Sequence, residues 1–229
     1  MNTVKAQEYI NRYKDEFEVF DTDEFCSDEV ESFMDSFTAP YTWWREGASK
    51  LVICIDEEDD FVLKIPFASL SDEYGEYIDI PDYCEKEVSV YKEACACNVD
   101  EFLCKEEYLT SVGGTVKIYI QEKVNNDYYS EYTFQENSEY VRSNDIKGDI
   151  FNWSFVADCI RAYGAASTAA FVDFISSANV NDLHATNLGF TEVDGKMMPK
   201  IFDYSGWYDN DRITTFEHYD EEEEDENCF

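Results

Sequence analysis

The sequence predicts an α+β fold in which antiparallel hairpins dominate the first half and helices the second. Three observations predict it. Apolar segments flank turn signals at 43–65 and 102–121, helical periodicity runs through 82–96 and 149–177, and a last hairpin follows at 188–202. At 229 residues the chain is long enough for one good core or two small lobes, not for several independent domains.

Taken in order, residues 1–38 read as one or two amphipathic helices. Tyr9, Ile10, Tyr13, Phe17, Val19 and Phe20, then Val30, Phe33, Met34 and Phe37, recur among charges. They are expected to pack against the lobe that follows, with a detached protein-binding helix as the alternative. Trp43 to Ile55 reads as strand, small-residue turn (Gly47-Ala48-Ser49) and strand. After an acidic turn, Asp56 to Asp60, comes Phe61-Val62-Leu63-Lys64-Ile65-Pro66, an apolar run with a single Lys, ended by Pro. Ser69 to Asp79 is expected to be a solvated acidic loop, or else, through Tyr74, Tyr77 and Ile78, an anchor for a basic partner. Asp82 to Ala96 has helical character. Phe102 to Ser111, the Gly113-Gly114 turn and Thr115 to Gln121 form another hairpin.

The second half begins after Val124. Asn125 to Asn144 is polar and tyrosine-rich, a loop with a short helix. Asp149 to Tyr163 carries a stripe of Phe151, Phe155, Val156, Cys159 and Ile160, Gly164 breaks it, and Ala165 to Ser177 makes a further helix. Leu188 to Val193, the Asp194-Gly195 turn and Lys196 to Phe202 are a hairpin. Glu217 to Glu226 is a run of like charge, expected to be disordered or partner-bound. The implied division is 1–38, a helical extension; 39–124, a first lobe; 125–216, a small second lobe; and 217–229, an acidic tail.

Composition bounds the partners. The hydrophobic share of 44% and aromatic share of 17% mark a globular chain, but 52 acidic residues against 17 basic ones leave a net charge of -35. Such a surface repels nucleic acid and acidic membranes and attracts basic proteins with fast, salt-sensitive association. The eight cysteines lack zinc-site spacing, and Cys54, Cys104 and Cys159 sit in apolar patterns where a free thiol acts as a small hydrophobe. With no signal peptide and no apolar run long enough for a bilayer, a reduced cytoplasm is the expected home.

The residues with the most chemistry lie around the last hairpin. Asp182 and Asn187 precede it and Asp203 follows it, so the hairpin brings two carboxylates to one end of a small sheet with the amide between them. Three oxygen-bearing side chains at one spot suit Mg²⁺, which takes a few such ligands and completes its shell with phosphate oxygens. Upstream, Lys64 in its apolar strand needs a carboxylate or phosphate, because a lone buried ammonium is costly. Glu87, on the helix that would run behind that strand, is the preferred partner, with Glu85 and Glu93 as rivals. Small residues at Gly47, Ala48 and Ser49 let backbone N–H groups approach a phosphate chain.

With these residues in place, the chain resembles the protein kinase-like superfamily across about residues 40 to 208. The resemblance rests on Gly47-Ala48-Ser49 with Val52, Lys64 in Val-Leu-Lys-Ile, Glu87 in Glu-x-x-Val-Tyr, Asp182 with Asn187, and Asp203. The chain is most similar to the compact early protein kinases of lytic bacteriophages, which share an Asp-x-His-x-x-Asn loop and a very short second lobe. The resemblance implies a two-lobed protein kinase-like fold with a minimal, truncated C-terminal lobe. It also implies ATP and Mg²⁺ as cofactors and a role in redirecting host machinery from the host cytoplasm. It makes Asp182 the group that orients or deprotonates the acceptor hydroxyl, and Asn187 and Asp203 the metal ligands. Lys64, oriented by Glu87, contacts the nucleotide phosphates, and backbone groups around Glu122 and Val124 meet adenine.

The departures matter. One glycine remains in the phosphate loop, His184 stands where Ser/Thr protein kinases have Lys, and Asp203 is followed by Tyr204-Ser205-Gly206. Few residues follow, too few for an activation segment and peptide-docking helices. Two functions are expected in competition. One is an ATP- and Mg²⁺-dependent phosphotransferase, acting on Ser or Thr of basic host proteins or on a small-molecule hydroxyl. The other is an acidic interaction protein on a kinase-like scaffold, whose carboxylates imitate a nucleic-acid backbone.

Overall fold

The alternation along Phe61–Pro66 organises the molecule. In the computed structural model, which describes residues 1–22, 25–71, 77–126, 134–147, 150–178, 180 and 183–206, this strand lies at the centre of a five-stranded antiparallel sheet. The strands are β1 (Trp43–Glu46), β2 (Lys50–Cys54), β3 (Phe61–Pro66), β6 (Glu106–Val112) and β7 (Val116–Glu122), in the order β1-β2-β3-β7-β6. Leu63 and Ile65 pair with Ile53 and Leu51, while Lys64 lies between Val52 and Tyr119. Successive side chains point to opposite faces. One face therefore carries Leu51, Ile53, Phe61, Leu63, Ile65, Ile118 and Ile120, and the other Lys50, Val52, Lys64, Tyr119 and Gln121. Both faces are covered, which is why β3 reads as a nearly continuous apolar run.

The N-terminal segment covers the apolar face. Helices α1 (Thr3–Arg12), α2 (Lys14–Phe17) and α3 (Val30–Ser36) contribute Ala6, Ile10, Phe17, Val30 and Met34, which join the sheet residues in one buried cluster. Beside them Phe20 packs at a tilt against Phe25 and Phe37, with ring centroids 4.9 and 5.5 Å away. The Asp21 carboxylate accepts from Gly114 and Thr115 N–H groups, fastening this segment to the β6–β7 turn.

Helix α4 (Tyr83–Cys97) covers the other face. Asp82 caps it by accepting from Glu85 N–H, and Asn98 ends it at φ 58°. Its Cys84 and Val88 pack on Tyr119, whereas Val90 and Ala94 enter a second core with α5 (Phe134–Ser143), α6 (Trp153–Tyr163) and α7 (Ala165–Ser177). A hairpin, β8 (Leu188–Val193) and β9 (Lys196–Ile201), closes this core through Leu188 and Ile201. The described residues thus form a mixed α+β fold of seven helices, one five-stranded sheet and two further hairpins. No helix among them is long and apolar enough to cross a membrane.

The helix expected from Asp149 begins at Trp153, leaving Phe151 before its Asn152 cap, and two other expected elements differ. Ser69 to Asp79 is not simply a loop, because β4 (Ser69–Ser71) and β5 (Tyr77–Asp79) pair as a hairpin, and Ile80 N–H donates to Ala68. Alternating polar and apolar residues are compatible with strand pairing even in an acidic stretch. Tyr77 and Ile78 are exposed there, while Tyr74 lies outside the described residues. The strand expected from Phe102 begins instead at Glu106, since 100–102 form a 3₁₀ turn that buries Phe102 against Phe171. The acidic run 217–226 also lies outside the described residues.

Candidate functional site

A cleft of about 1410 Å³ separates the polar face of the sheet from the β8–β9 hairpin and the segment before it. Its walls include Gly47, Ala48, Ser49, Lys50, Val52, Lys64, Glu122 and Val124 on one side, and His184, Asn187 and Asp203 on the other. Local chemistry explains the geometry of each wall. Gly47, Ala48 and Ser49 form the β1–β2 turn, closed by Gly47 N–H donating to Lys50 C=O. Asp194 and Gly195 both take positive φ, 53° and 73°, as a two-residue hairpin turn requires. That turn returns β9 to the start of β8, where Phe202 N–H donates to Asn187 C=O at 3.1 Å. Asn187 and Asp203 therefore flank one end of the hairpin.

Gly189 brings the hairpin against the sheet. A Cβ at this position would lie 2.7 Å from Asn125 O and 2.9 Å from Val124 Cγ2. Its neighbour Phe190 exchanges two backbone hydrogen bonds with Asn125, at 2.9 and 3.0 Å. Lys200 Nζ adds an ion pair to Glu122 at 3.1 Å. The Glu122 N–H is engaged by Lys105 C=O at 2.9 Å.

At the back of the cleft two buried lysines meet three carboxylates. Lys64 Nζ lies 2.8 Å from Glu87 Oε2 and 2.9 Å from Glu106 Oε2, and donates to Phe202 C=O at 3.2 Å. Of the three glutamates considered for Lys64, Glu87 is the one that reaches it; Glu85 pairs with Lys117 at 2.8 Å and Glu93 is exposed. Lys50 Nζ lies 2.9 Å from Asp203 Oδ1, 3.1 Å from Glu87 Oε1 and 3.4 Å from Ser205 Oγ. Glu87 Oε1 also accepts from Tyr204 N–H at 3.1 Å, and Gln121 Nε2 donates to Glu106 Oε2 and Phe202 C=O, both at 2.7 Å. Asp203 keeps 35% of its side-chain surface exposed; Lys50, Lys64, Glu87 and Glu106 are almost wholly buried.

Electrostatics within this cluster follow from burial set against charge. Burial favours a neutral Asp203, but the Lys50 and Lys64 charges overcome it and hold its carboxyl well below the usual carboxylate range. Burial likewise opposes charge on both ammonium groups, and their carboxylate partners raise them above the ordinary lysine value. Glu106 goes the other way. Burial, reinforced by the Glu87 charge, raises it far above a normal carboxyl, and its Oε1 has no hydrogen-bond partner among the described residues. A protonated Glu106 leaves two ammonium groups facing two carboxylates, the neutral combination that a buried site favours.

Sequence reasoning did not single out Lys50, Glu106 or Gln121. Lys50 opens β2 directly after the small-residue turn and had no motif to mark it. Glu106 and Gln121 are a cross-strand pair, and only strand register makes them neighbours. Asp182 lies outside the described residues, between the buried Val180 and Leu183. His184 Nδ1 sits 2.7 Å from Thr186 Oγ1, and its Nε2 is 3.4 Å from Asn187 Nδ2. Asn187 and Asp203 are hard oxygen donors on the cleft wall, a donor set that fits Mg²⁺ with phosphate ligands. No protein-family model, curated protein or solved structure matches the chain.

Proposed function

We propose that the protein is an ATP- and Mg²⁺-dependent phosphotransferase of kinase-like, two-lobed architecture with a minimal second lobe. One observation carries the reading. Lys64, held by the buried Glu87 at 2.8 Å, lines a cleft that is also lined by Asn187, Asp203 and the Gly47-Ala48-Ser49 turn. Phosphoryl transfer asks a protein mainly for positioning and charge neutralisation, and this cleft offers both.

In this reading the Gly47-Ala48-Ser49 turn lies along the phosphate chain, and the backbone near Glu122 and Val124 lies beside the base. Asn187 and Asp203 hold Mg²⁺, which, when bound, neutralises and orients phosphate oxygens. Lys64, fixed by Glu87, supplies positive potential beneath the phosphates. Asp182 orients or deprotonates the acceptor hydroxyl. A surface with net charge -35 would draw in basic proteins, so Ser or Thr of basic host proteins are the acceptors proposed. His184 near Asn187 keeps a small-molecule hydroxyl in play.

The same charge excess favours a second reading, an acidic protein that occupies the nucleic-acid groove of a basic partner. Catalysis does not require an excess of this size. Alanine at Asp182 or Asp203 separates the two, abolishing function in the first and sparing it in the second, whereas charge reversal across 69–79 does the opposite.

The direct test is transfer of labelled γ-phosphate from ATP with Mg²⁺ to the protein itself and to a bacterial lysate. Wild type and Asp182→Ala are run together, with α-labelled ATP as the control for nucleotidyl transfer. Label from the γ position that vanishes in Asp182→Ala is the expected result. No label, together with no binding of MgATP by wild type, would overturn the enzyme reading.

A further inference from the structure

Resting on the phosphotransferase reading, we propose that Lys50, and not Lys64, is the lysine that binds the nucleotide phosphates, and that its ammonium shares Asp203 with the metal as an exchangeable counter-ion. The argument begins with donor inventory. An ammonium has three N–H donors and no acceptor. Lys64 engages all three with protein oxygens, those of Glu87, Glu106 and Phe202, at 2.8, 2.9 and 3.2 Å. Two of these acceptors are carboxylates with no exposed side-chain surface. A phosphate contact from Lys64 would leave one of these wholly buried acceptors without its donor, which is costly.

Lys50 is placed differently. It opens β2 immediately after the Gly47-Ala48-Ser49 turn, so its stem starts where a phosphate chain would pass. It pairs in register with Pro66, two residues along from the Val52–Lys64 pair, and therefore shares the cleft face with Lys64. Its weakest contact is the 3.4 Å approach to Ser205 Oγ, and its shortest, 2.9 Å, is to Asp203, the most exposed carboxylate of the cluster. Giving up Asp203 leaves a carboxylate that is 35% exposed and can meet an incoming cation, whereas Glu106 is wholly buried, and Glu87 still neutralises Lys50 at 3.1 Å.

The exchange follows from charge alone. Asp203 would hold a divalent cation with the same oxygen that now accepts from Lys50, and the two positive charges would repel each other. The four-carbon stem of lysine is flexible, and the phosphates arriving with the cation offer a new anionic partner. Lys50 thereby supplies from a side chain part of the stabilisation that a glycine-poor loop supplies less well from its backbone. Lys64 stays in place and balances Glu87.

Two measurements decide this, both on the full chain. In wild type, an acyl-phosphate derivative of ATP transfers its acyl group to the amine in contact with the phosphates. The amine nitrogen forms an amide, ATP leaves, and the labelled lysine is mapped by mass spectrometry. Acyl label on Lys50 is expected; label on Lys64 alone, or on neither lysine while MgATP still binds, overturns the proposal. The second measurement compares Lys50→Met and Lys50→Arg with wild type, by calorimetry for MgATP and by paramagnetic resonance for Mn²⁺ alone. Loss of a charge-assisted contact predicts MgATP binding about 10- to 100-fold weaker in Lys50→Met and largely restored in Lys50→Arg. Mn²⁺ binding should change in the opposite direction, tighter by about 10-fold, because the competing ammonium is gone. A purely structural Lys50 would weaken both ligands together, and that result overturns the proposal. If Lys50→Met does not fold, the acylation map on wild type decides alone. A wild type that fails to bind MgATP sinks the phosphotransferase reading itself, whereas wild-type binding with an indifferent Lys50→Met sinks only the role of Lys50.

Discussion

Tyr204 N–H donates to Glu87 Oε1 at 3.1 Å, tying helix α4 to the residue that follows Asp203. Glu87 also receives Lys64 on its other oxygen and Lys50 on this one, so a single carboxylate joins the sheet, the helix and the end of the last hairpin. Three separate parts of the chain are therefore positioned by one buried charge.

The first prediction concerns that charge. Glu87→Gln leaves two buried ammonium groups short of a counter-ion, and breaking a buried pair from one side costs about 3–5 kcal/mol. Urea unfolding should show a lower midpoint with an unchanged slope. On the phosphotransferase reading, MgATP affinity should fall with it, since Lys50, Lys64 and Tyr204 lose their common anchor.

Glu106 predicts a pH dependence of unusual sign. Its folded-state pKa is raised above the ordinary 4.5, so the folded protein holds a proton that the unfolded chain releases as pH rises past that value. Stability therefore declines as pH climbs from 4.5 towards the raised folded value. Asp203 acts oppositely. Its folded pKa lies below the ordinary 3.8, so its contribution is present above 3.8 and is lost as pH falls through the folded value. Glu106→Gln should flatten the decline on the alkaline side and leave the acid limb in place. Urea midpoints from pH 3 to pH 9 check this, and an unchanged alkaline slope in Glu106→Gln would rule it out.

Gly189 sets the distance between the last hairpin and the sheet. Alanine there would put a methyl 2.7 Å from Asn125 O, a backbone atom held by its own hydrogen bond to Phe190. Overpacking of this kind costs about 1–3 kcal/mol. Gly189→Ala should lower the melting temperature and, on the phosphotransferase reading, weaken nucleotide binding, because Val124 and Asn125 line the same cleft.

The N-terminal segment is predicted to be part of the core. Phe20 is 1% exposed and packs at a tilt against Phe25 and Phe37 with centroids 4.9 and 5.5 Å away. Phe20→Ala should cost about 3–5 kcal/mol. A change below about 1 kcal/mol would mean instead that this segment behaves as a detachable arm.

Much of the architecture was legible in the sequence because its signals are local. The helix at Ala165–Ser177 and the strands Leu188–Val193 and Lys196–Ile201 lie where periodicity and the Asp194-Gly195 turn place them. Lys64 called for a carboxylate because a lone lysine in an apolar strand needs one, and Glu87 was preferred over Glu85 and Glu93 by its place in the Glu-x-x-Val-Tyr pattern. The pairing of Ser69–Ser71 with Tyr77–Asp79 was not legible, because charge density masks strand pairing in a short hairpin.

By itself, then, the sequence determined the α+β class, the order of the elements, the acidic surface and the candidate residues Lys64, Glu87, Asn187 and Asp203. Only the tertiary structure decided what surrounds them. Lys50 meets Asp203 across 153 residues, Lys64 meets Glu106 across 42, and Gln121 meets Glu106 through the register of β6 and β7. A polar residue in a strand carries no local sign of its partner, because the partner is chosen by which strands lie side by side and in what register. Burial then makes that partner obligatory, since a charge removed from water must be neutralised where it lies.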